Sequence, residues 1–277
     1  MHLLLVDAGV PSDWPQLSLR WTHFVAGVLW IGLLYFFNWV NSAFAPTMDP
    51  ETKRKVIPEL MPRALFWFRW GAAFTWLTGV ALAMILYYSS KSSFLLQGVK
   101  AGAPELGDWL PAFLGLLLGF VVYDVMFKLL GKNPAGHAAA VVIWGALAIG
   151  FGCILDTKYH FSGRALFIHL GALFGTAMAA NVWMRIWPAQ RRIITAIKAG
   201  TAPNPADVAM AGLRSKHNTY MSVPLLLFMV AVHQESLIAM VPAEGGGDWQ
   251  LTVAGIFVIG WVATYLVYKS VPKVKGF

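Results

Sequence analysis

The chain has 277 residues, of which 58% are hydrophobic and 12% are charged. A soluble domain carries about 25% charged residues, so this composition excludes an ordinary soluble protein and indicates a polytopic membrane protein. The net charge of +8 does not indicate nucleic-acid binding, because the charges lie in short loops beside apolar spans, where they orient a membrane protein. The single cysteine, Cys153, excludes a disulfide scaffold.

Apolar stretches follow one another along the chain after a short leader at residues 1–20. We predict seven membrane spans, at about Trp21–Phe44, Trp70–Tyr88, Leu110–Leu130, His137–Ile154, Ala165–Ile186, Lys216–Met240 and Leu251–Tyr268. A helix needs about 20 apolar residues to cross a bilayer, and each stretch is close to that length. The predicted fold is therefore an all-α membrane helix bundle, with one transmembrane domain at residues 21–268 and a basic tail at residues 269–277.

Loop charge alternates along the chain. The loops after the first, third and fifth spans and the tail after the seventh are basic, whereas the other loops are not. Because basic loops stay in the cytoplasm, we predict an outer N-terminus and a cytoplasmic C-terminus in a bacterial inner membrane.

Two of the basic connections are long. Residues Pro46–Arg69 are predicted to form a proline-punctuated loop, within which Pro62–Phe68 could start a helix lying in the membrane interface. A second basic loop is expected at residues 187–216, between the fifth and sixth spans.

Several histidines lie at or near the ends of these spans. The predicted topology places His23, His169 and His233 toward the outer side and His217 on the cytoplasmic side. His217 and His233 are 16 residues apart in one apolar run. Such a helical segment rises about 24 Å, so the two imidazoles would lie near opposite membrane surfaces.

The outer histidines could form a ligand set. A b-type haem takes two axial imidazoles from facing helices, each with its other nitrogen held by a second partner. Copper is an alternative, since imidazole also suits that metal, and a third alternative is that no cofactor binds and each histidine only forms hydrogen bonds. Polar groups inside a bilayer are costly and commonly functional. We therefore expect His23, His169 and His233 to bind one haem iron or copper, with His217 at an inner cofactor site.

Asp124 is a carboxylate well inside the third span. A salt bridge to Lys128, four residues on, would make it a structural residue, and we favour this interpretation. The alternative is that Asp124 carries protons or holds a ligating histidine.

Several longer motifs resemble a known family. They are His169–Val182 (HLGALFGTAMAANV), Pro188–Arg191 (PAQR), Arg214–Tyr220 (RSKHNTY), Arg20–His23 (RWTH) and Phe66–Gly71 (FWFRWG). Together they resemble the N-terminal membrane domain of bacterial membrane-bound urate oxidases, over most of residues 20–234. The resemblance implies an inner-membrane protein linked to urate oxidation and electron transfer.

The sequence departs from that family in one respect. Members of this type carry a further span and a cytochrome c domain with a Cys-x-x-Cys-His haem attachment site, whereas this sequence has one cysteine. We therefore expect electrons to pass to a separate cytochrome c, another redox membrane subunit or a quinone. The acidic residues Glu244 and Asp248 of an outer loop could steer a basic partner.

Two other functions remain open at the level of sequence. Polar residues inside spans could line a transporter or channel, although no pair of Gly/Pro-broken helices in matching halves is evident. A cofactor-free structural subunit of a larger respiratory complex could instead use small-residue faces, such as Gly115–Gly119, to pack against partners.

The topology has a direct test. Alkaline phosphatase fused to the C-terminus should be inactive in cells, because the positive-inside rule keeps this end in the cytoplasm. An active C-terminal fusion would contradict the predicted orientation.

Overall fold

The computed structural model describes residues 13–89 and 92–274, which are mostly helical. Residues 1–12 of the predicted leader and residues 275–277 of the predicted tail lie outside this description. Within the described ranges there is no β-strand, and Leu96 and Phe161 form an isolated β-bridge. The all-α prediction is confirmed.

Eight helices of at least twelve residues form the described bundle. They are α1 Trp14–Tyr35, α2 Pro50–Leu86, α3 Leu106–Leu130, α4 Pro134–Thr157, α5 Gly163–Asn181, α6 Trp187–Lys198, α7 Pro205–Ala231 and α8 Trp249–Ser270. Two π-helical segments interrupt them, Phe36–Asn41 after α1 and Val182–Ile186 between α5 and α6. Short helical turns occupy Ser42–Phe44, Ala45–Thr47, Gly98–Lys100, Glu235–Ile238 and Val271–Lys273.

Six helical segments in the described residues are long and apolar enough to cross a membrane. They are Trp14–Thr47, Pro50–Leu86, Leu106–Leu130, Pro134–Thr157, Gly163–Lys198 and Trp249–Lys273. The remaining predicted span corresponds to α7, which has 27 residues but is not among the six. Its polar stretch around Arg214, Lys216 and His217 lowers its hydropathy. The chain is thus a multi-pass membrane protein in which one long helix, α7, is polar over half of its length.

The predicted loop at Pro46–Arg69 is wrong, because α2 begins at Pro50. The Asp49 carboxylate caps this helix by accepting hydrogen bonds from the backbone amides of Glu51 at 2.9 Å and Thr52 at 3.0 Å. Proline suits the first helical position, since its missing amide would have no partner there.

The first turns of α2 stay helical despite the internal residues Pro58 and Pro62. Ile57, Met61 and Leu65 are buried at four-residue spacing and give this part of the helix an apolar face. Burial of that face outweighs the helix-breaking tendency of the two prolines. The predicted loop had taken only that tendency into account.

Further boundaries differ from the prediction. The leader expected at residues 1–20 overlaps α1, which begins at Trp14 rather than Trp21. The expected basic loop at 187–216 contains helix α6 and the start of α7, so the connection between them covers only residues 199–204. The predicted sixth span ends at Ala231 rather than near Met240. His233 consequently lies in the exposed turn that follows α7.

Helices α5 and α7 form the centre of the bundle, where 13 residues of α5 and 11 of α7 are buried. They run antiparallel, as shown by contacts between Gly171 and Phe228 and between Asn181 and Asn218. We call the end of the bundle where α6 leaves and α7 enters the basic end, since the basic loops lie there.

The connection before α8 is anchored at the opposite end of the bundle. The buried carboxylate of Asp156 accepts hydrogen bonds, each 3.0 Å long, from the Gly246 amide and the Trp249 indole. Gly245, Gly246 and Gly247 have φ values of 81°, 88° and 83°, which favour glycine and let the backbone turn toward that carboxylate.

The contact between α1 and α2 predicts one effect on stability. A Cβ atom at Gly71 would lie 3.3 Å from both the Ala26 carbonyl oxygen and Trp30 Cβ. Gly71→Val should therefore overpack this contact and lower the free energy of unfolding by about 1–3 kcal/mol, measured by thermal unfolding in detergent.

The matched control is Gly32→Val, because no atom lies within 4 Å of a Cβ at Gly32. This control makes the same residue change inside a helix and should unfold close to the wild-type temperature. Equal melting temperatures for the two variants would contradict the close approach of α1 and α2.

Candidate functional site

The half of α7 toward the basic end carries an unusual set of buried polar residues. Arg214, His217, Asn218, Thr219 and Ser222 are each no more than 8% exposed. Polar groups in such a location need hydrogen-bond partners, because their desolvation is otherwise uncompensated. Those partners come from α1, α3, α4, α5 and α7 itself.

Asp124 on α3 is the centre of an ion-pair cluster. Its carboxylate accepts two hydrogen bonds from Arg185, at 2.9 and 2.6 Å, and one from Arg214 at 2.8 Å. The predicted contact with Lys128 is present at 2.7 Å. This arrangement gives Asp124 a structural role, since cations engage both of its carboxylate oxygens. The alternative role in proton transfer stays a prediction.

Both π-helical segments adjoin this part of α7. Arg185, which reaches Asp124, belongs to the segment Val182–Ile186. In the other segment, Asn38 donates a 2.7 Å hydrogen bond to Ser215 of α7 and accepts one of 2.9 Å from Tyr268. Single-turn π-helical insertions occur frequently at functional sites, because they reorient side chains out of the regular helical register.

A chain of hydrogen bonds links the surface of the basic end to the core. His137, at the start of α4, lies with its Nε2 atom 3.3 Å from Nε2 of His217. The other ring nitrogen of His217, Nδ1, is 2.6 Å from the buried hydroxyl of Tyr123. Tyr123 accepts a 3.0 Å hydrogen bond from Asn181, which also donates to Asn218 at 2.9 Å.

The two facing Nε2 atoms are suitably oriented for a shared proton or a shared ligand. Two imidazoles on opposite sides of one iron would have these atoms about 4 Å apart, twice a typical metal–nitrogen bond of about 2.0 Å. The observed 3.3 Å is shorter, so ligation from opposite sides of a haem would require the two rings to separate. In the observed packing, the two rings form a direct hydrogen bond.

The opposite end of the bundle contains a second histidine–tyrosine pair. His169 is 2% exposed, and its Nδ1–H donates a 2.7 Å hydrogen bond to the Ala165 carbonyl. Its Nε2 is 2.6 Å from the hydroxyl of Tyr88, a ring that stacks on Trp109. The neutral ring therefore carries its proton on Nδ1 and accepts from Tyr88 through Nε2.

The other predicted outer ligands have different surroundings. Nδ1 of His23 is 3.1 Å from the Thr78 hydroxyl, whereas His233 is exposed. In the described part of the chain, no hydrogen bond or ring contact joins any two of His23, His169 and His233. Nor do three His, Cys, Asp or Glu residues form a metal-binding group within residues 13–89 and 92–274. Their binding of one cofactor stays a prediction.

The sequence interpretation missed the partners of its candidates. Tyr88, Tyr123 and His137 were not expected at a site, although each contacts a candidate histidine. The spacing of Arg214 and His217 on α7, three residues apart, could have indicated that both face the Tyr123-Asp124 pair of α3.

The cluster at the basic end has unused hydrogen-bonding capacity. Nε and Nη1 of Arg214 and Oδ1 of Asn181 are buried without a partner among the described residues. Around Asp124, three cationic side chains face one carboxylate. This part of the protein thus carries excess positive charge together with donors that could bind an anion.

Comparison with protein families identifies the chain. Residues 48–270 match the family described as urate oxidase N-terminal. The chain belongs to this family. The match contains His169, His217 and His233 and confirms the resemblance, whereas His23 precedes it. Comparisons with curated proteins and with solved structures gave no significant match.

The ion-pair cluster of this family member generates a prediction. Asp124→Asn leaves Arg214 and Arg185 without their counter-charge and should lower the free energy of unfolding by about 3 kcal/mol. This is the lower end of the range for a broken buried pair, because Lys128 and Arg185 still reach water. Thermal unfolding of the purified variant measures the change.

Asp207→Asn is the matched control, because the Asp207–Arg192 pair is also bidentate but lies at an exposed position. Water already screens that pair, so its loss should change the melting temperature little. The structural role of Asp124 would be refuted by equal effects of the two substitutions.

Proposed function

We propose that the protein is a membrane-embedded oxidoreductase module of the urate-oxidase type, which passes electrons to a separate cytochrome. The observation that supports this function is the orientation of His169 and His217. Each ring is buried and has a hydrogen bond at Nδ1, and each directs Nε2 toward one other side chain. They lie at opposite ends of the bundle.

Histidine ligands of metals are commonly held in this way. A hydrogen bond at one ring nitrogen sets the tautomer and the ring orientation, and the other nitrogen provides the lone pair. The Ala165 carbonyl has this effect on His169. The donor chemistry fits a b-type haem, with His169 toward the outer side and His217 toward the basic end. Ligation would require Tyr88 and His137 to leave the two Nε2 atoms. A bound haem would supply a one-electron carrier.

The polar cluster at the basic end supports an anionic substrate. Urate carries a negative charge at neutral pH, and it is planar with several carbonyl oxygens. Arg214 has unpaired N–H donors at Nε and Nη1, and each can donate a hydrogen bond to an oxygen of such a group. Family membership supports urate as the substrate, and we assign these donors to its binding.

The end opposite the cluster is where we place electron exit. Glu244 and Asp248 are exposed there, and their charges would attract a basic cytochrome over a long range. The Arg164–Glu235 ion pair lies at the same end and leaves most of the Glu235 carboxylate exposed to solvent.

A visible absorption spectrum of the purified full chain tests cofactor binding. Reduction should produce b-type haem bands. His169→Ala and His217→Ala should each remove part of the haem, since each substitution deletes one ligand. The control His160→Asn removes an imidazole from a loop residue with φ of 55°, a conformation that asparagine tolerates.

The control should retain its full haem content. A wild-type spectrum without haem bands would contradict the haem proposal, and unchanged spectra in both alanine variants would contradict the assigned ligands.

Electron transfer to a partner has a separate test. Urate oxidation by the reconstituted chain should depend on added basic cytochrome c, and its rate should fall as salt screens the acidic residues. Glu244→Gln/Asp248→Asn should reduce this salt dependence. Full-rate turnover with oxygen alone, without any carrier, would contradict an external acceptor.

A further inference from the structure

A groove of about 460 Å³ lies between the first turns of α2 and helix α6 at the basic end. Its walls are mainly apolar and include Pro58, Pro62, Trp187 and Ile194. The two prolines are four residues apart and so occupy the same face of α2. Pro62 has no amide hydrogen, so the Pro58 carbonyl lacks its regular helical donor and can accept a hydrogen bond from a ligand.

Two cationic side chains line the same groove. Arg191 and Lys198 are seven residues apart on α6, about two helical turns, and their long side chains can approach a common group. Both residues are exposed. Among the described residues, neither has a carboxylate within 4 Å.

Neighbouring cations differ in this respect. Arg192 is bonded to Asp207 at 2.5 Å, and Arg63 is bonded to Glu59 at 2.7 Å. Arg192 and Arg63 thus each have a carboxylate partner in direct contact, whereas the positive charge of the groove is offset only at longer range, by Glu59 acting on Lys198.

The groove also adjoins an aromatic layer. The Arg69 guanidinium lies 4.0 Å from the centre of the Trp187 ring, and Trp183 donates a 3.0 Å hydrogen bond to the Arg69 carbonyl. Trp70 packs edge-on against Trp183. Clustered tryptophans mark the interface of a bilayer, where acyl chains meet headgroups.

We propose that this groove binds one anionic phospholipid. The phosphate contacts Arg191 and Lys198, and an acyl chain lies along Pro62, Trp187 and Ile194. A soluble anion would use the two cations but not the apolar wall, and a neutral lipid would use the wall but leave both cations unpaired. The combination favours an anionic amphiphile at the membrane surface.

Native mass spectrometry and thermal unfolding of the full chain test the site, with phosphatidylglycerol and phosphatidylcholine as probes. Phosphatidylglycerol should bind in preference to phosphatidylcholine and raise the melting temperature. Arg191→Gln/Lys198→Gln should weaken phosphatidylglycerol binding about 30-fold, equivalent to about 1 kcal/mol for each cation. Thr195→Trp, which fills the groove without removing charge, should also reduce binding.

The matched control is Arg63→Gln/Arg192→Gln, which removes two positive charges from the same end of the bundle but not from the groove. It should bind phosphatidylglycerol as the wild type does. Equal losses in the control and the groove variant would mean nonspecific attraction and overturn the proposal. Stabilisation by inorganic phosphate to the same extent would show a soluble-anion site instead, and would also overturn it.

Discussion

The carboxylate of Asp124 joins three helical segments inside the bundle, namely α3, the π-helical segment Val182–Ile186 and α7. At an effective dielectric of about 20, opposite charges about 3 Å apart attract by about 5 kcal/mol before desolvation is subtracted. The main effect of this attraction is to fix the positions of α3 and α7 relative to each other. Tyr123 precedes Asp124 on α3, and His217 follows Arg214 by one helical turn on α7. The ion pair between Asp124 and Arg214 therefore sets the register in which Tyr123 meets His217.

Helix α7 combines two requirements that conflict in a membrane. It carries many polar side chains, and it must avoid exposing them to lipid, where an unsatisfied polar group costs several kcal/mol. The bundle resolves this conflict by surrounding the polar half of α7. Asn181 bonds to Asn218, Asn38 bonds to Ser215, and Tyr35 shares a 3.0 Å hydrogen bond with Ser222. The π-helical segments supply Asn38 and Arg185. A regular helix would direct these two side chains away from their partners.

Two helices extend the protein beyond the bilayer at the basic end. Helix α2 has 37 residues and would be about 55 Å long, compared with a hydrocarbon core of about 30 Å. The continuous segment from α5 through α6 is similar, with 36 residues. Their projecting ends pack together and create the groove beside Trp187. The same construction that covers the polar half of α7 thus also forms a surface next to the lipid headgroups.

The local chemistry of the sequence was sufficient to predict the membrane class, the all-α fold and the family. The membrane class and the fold follow from apolar runs of about 20 residues and from the alternation of loop charge. Both features involve residues that are close together in the chain, so they can be read from a single sequence. The sequence also predicted the Asp124–Lys128 ion pair, because the two residues are one helical turn apart on α3.

The tertiary structure alone decided which residues meet across helices. Tyr88 with His169, Tyr123 with His217, and Arg214 with Asp124 are separated by 81, 94 and 90 residues. Their contacts depend on helix rotation and register, which arise from packing of whole faces and from the two π-helical insertions. The continuation of α2 through Pro58 and Pro62 has the same origin. Burial against other helices stabilises this part of α2, and local helix propensity does not reveal that contribution.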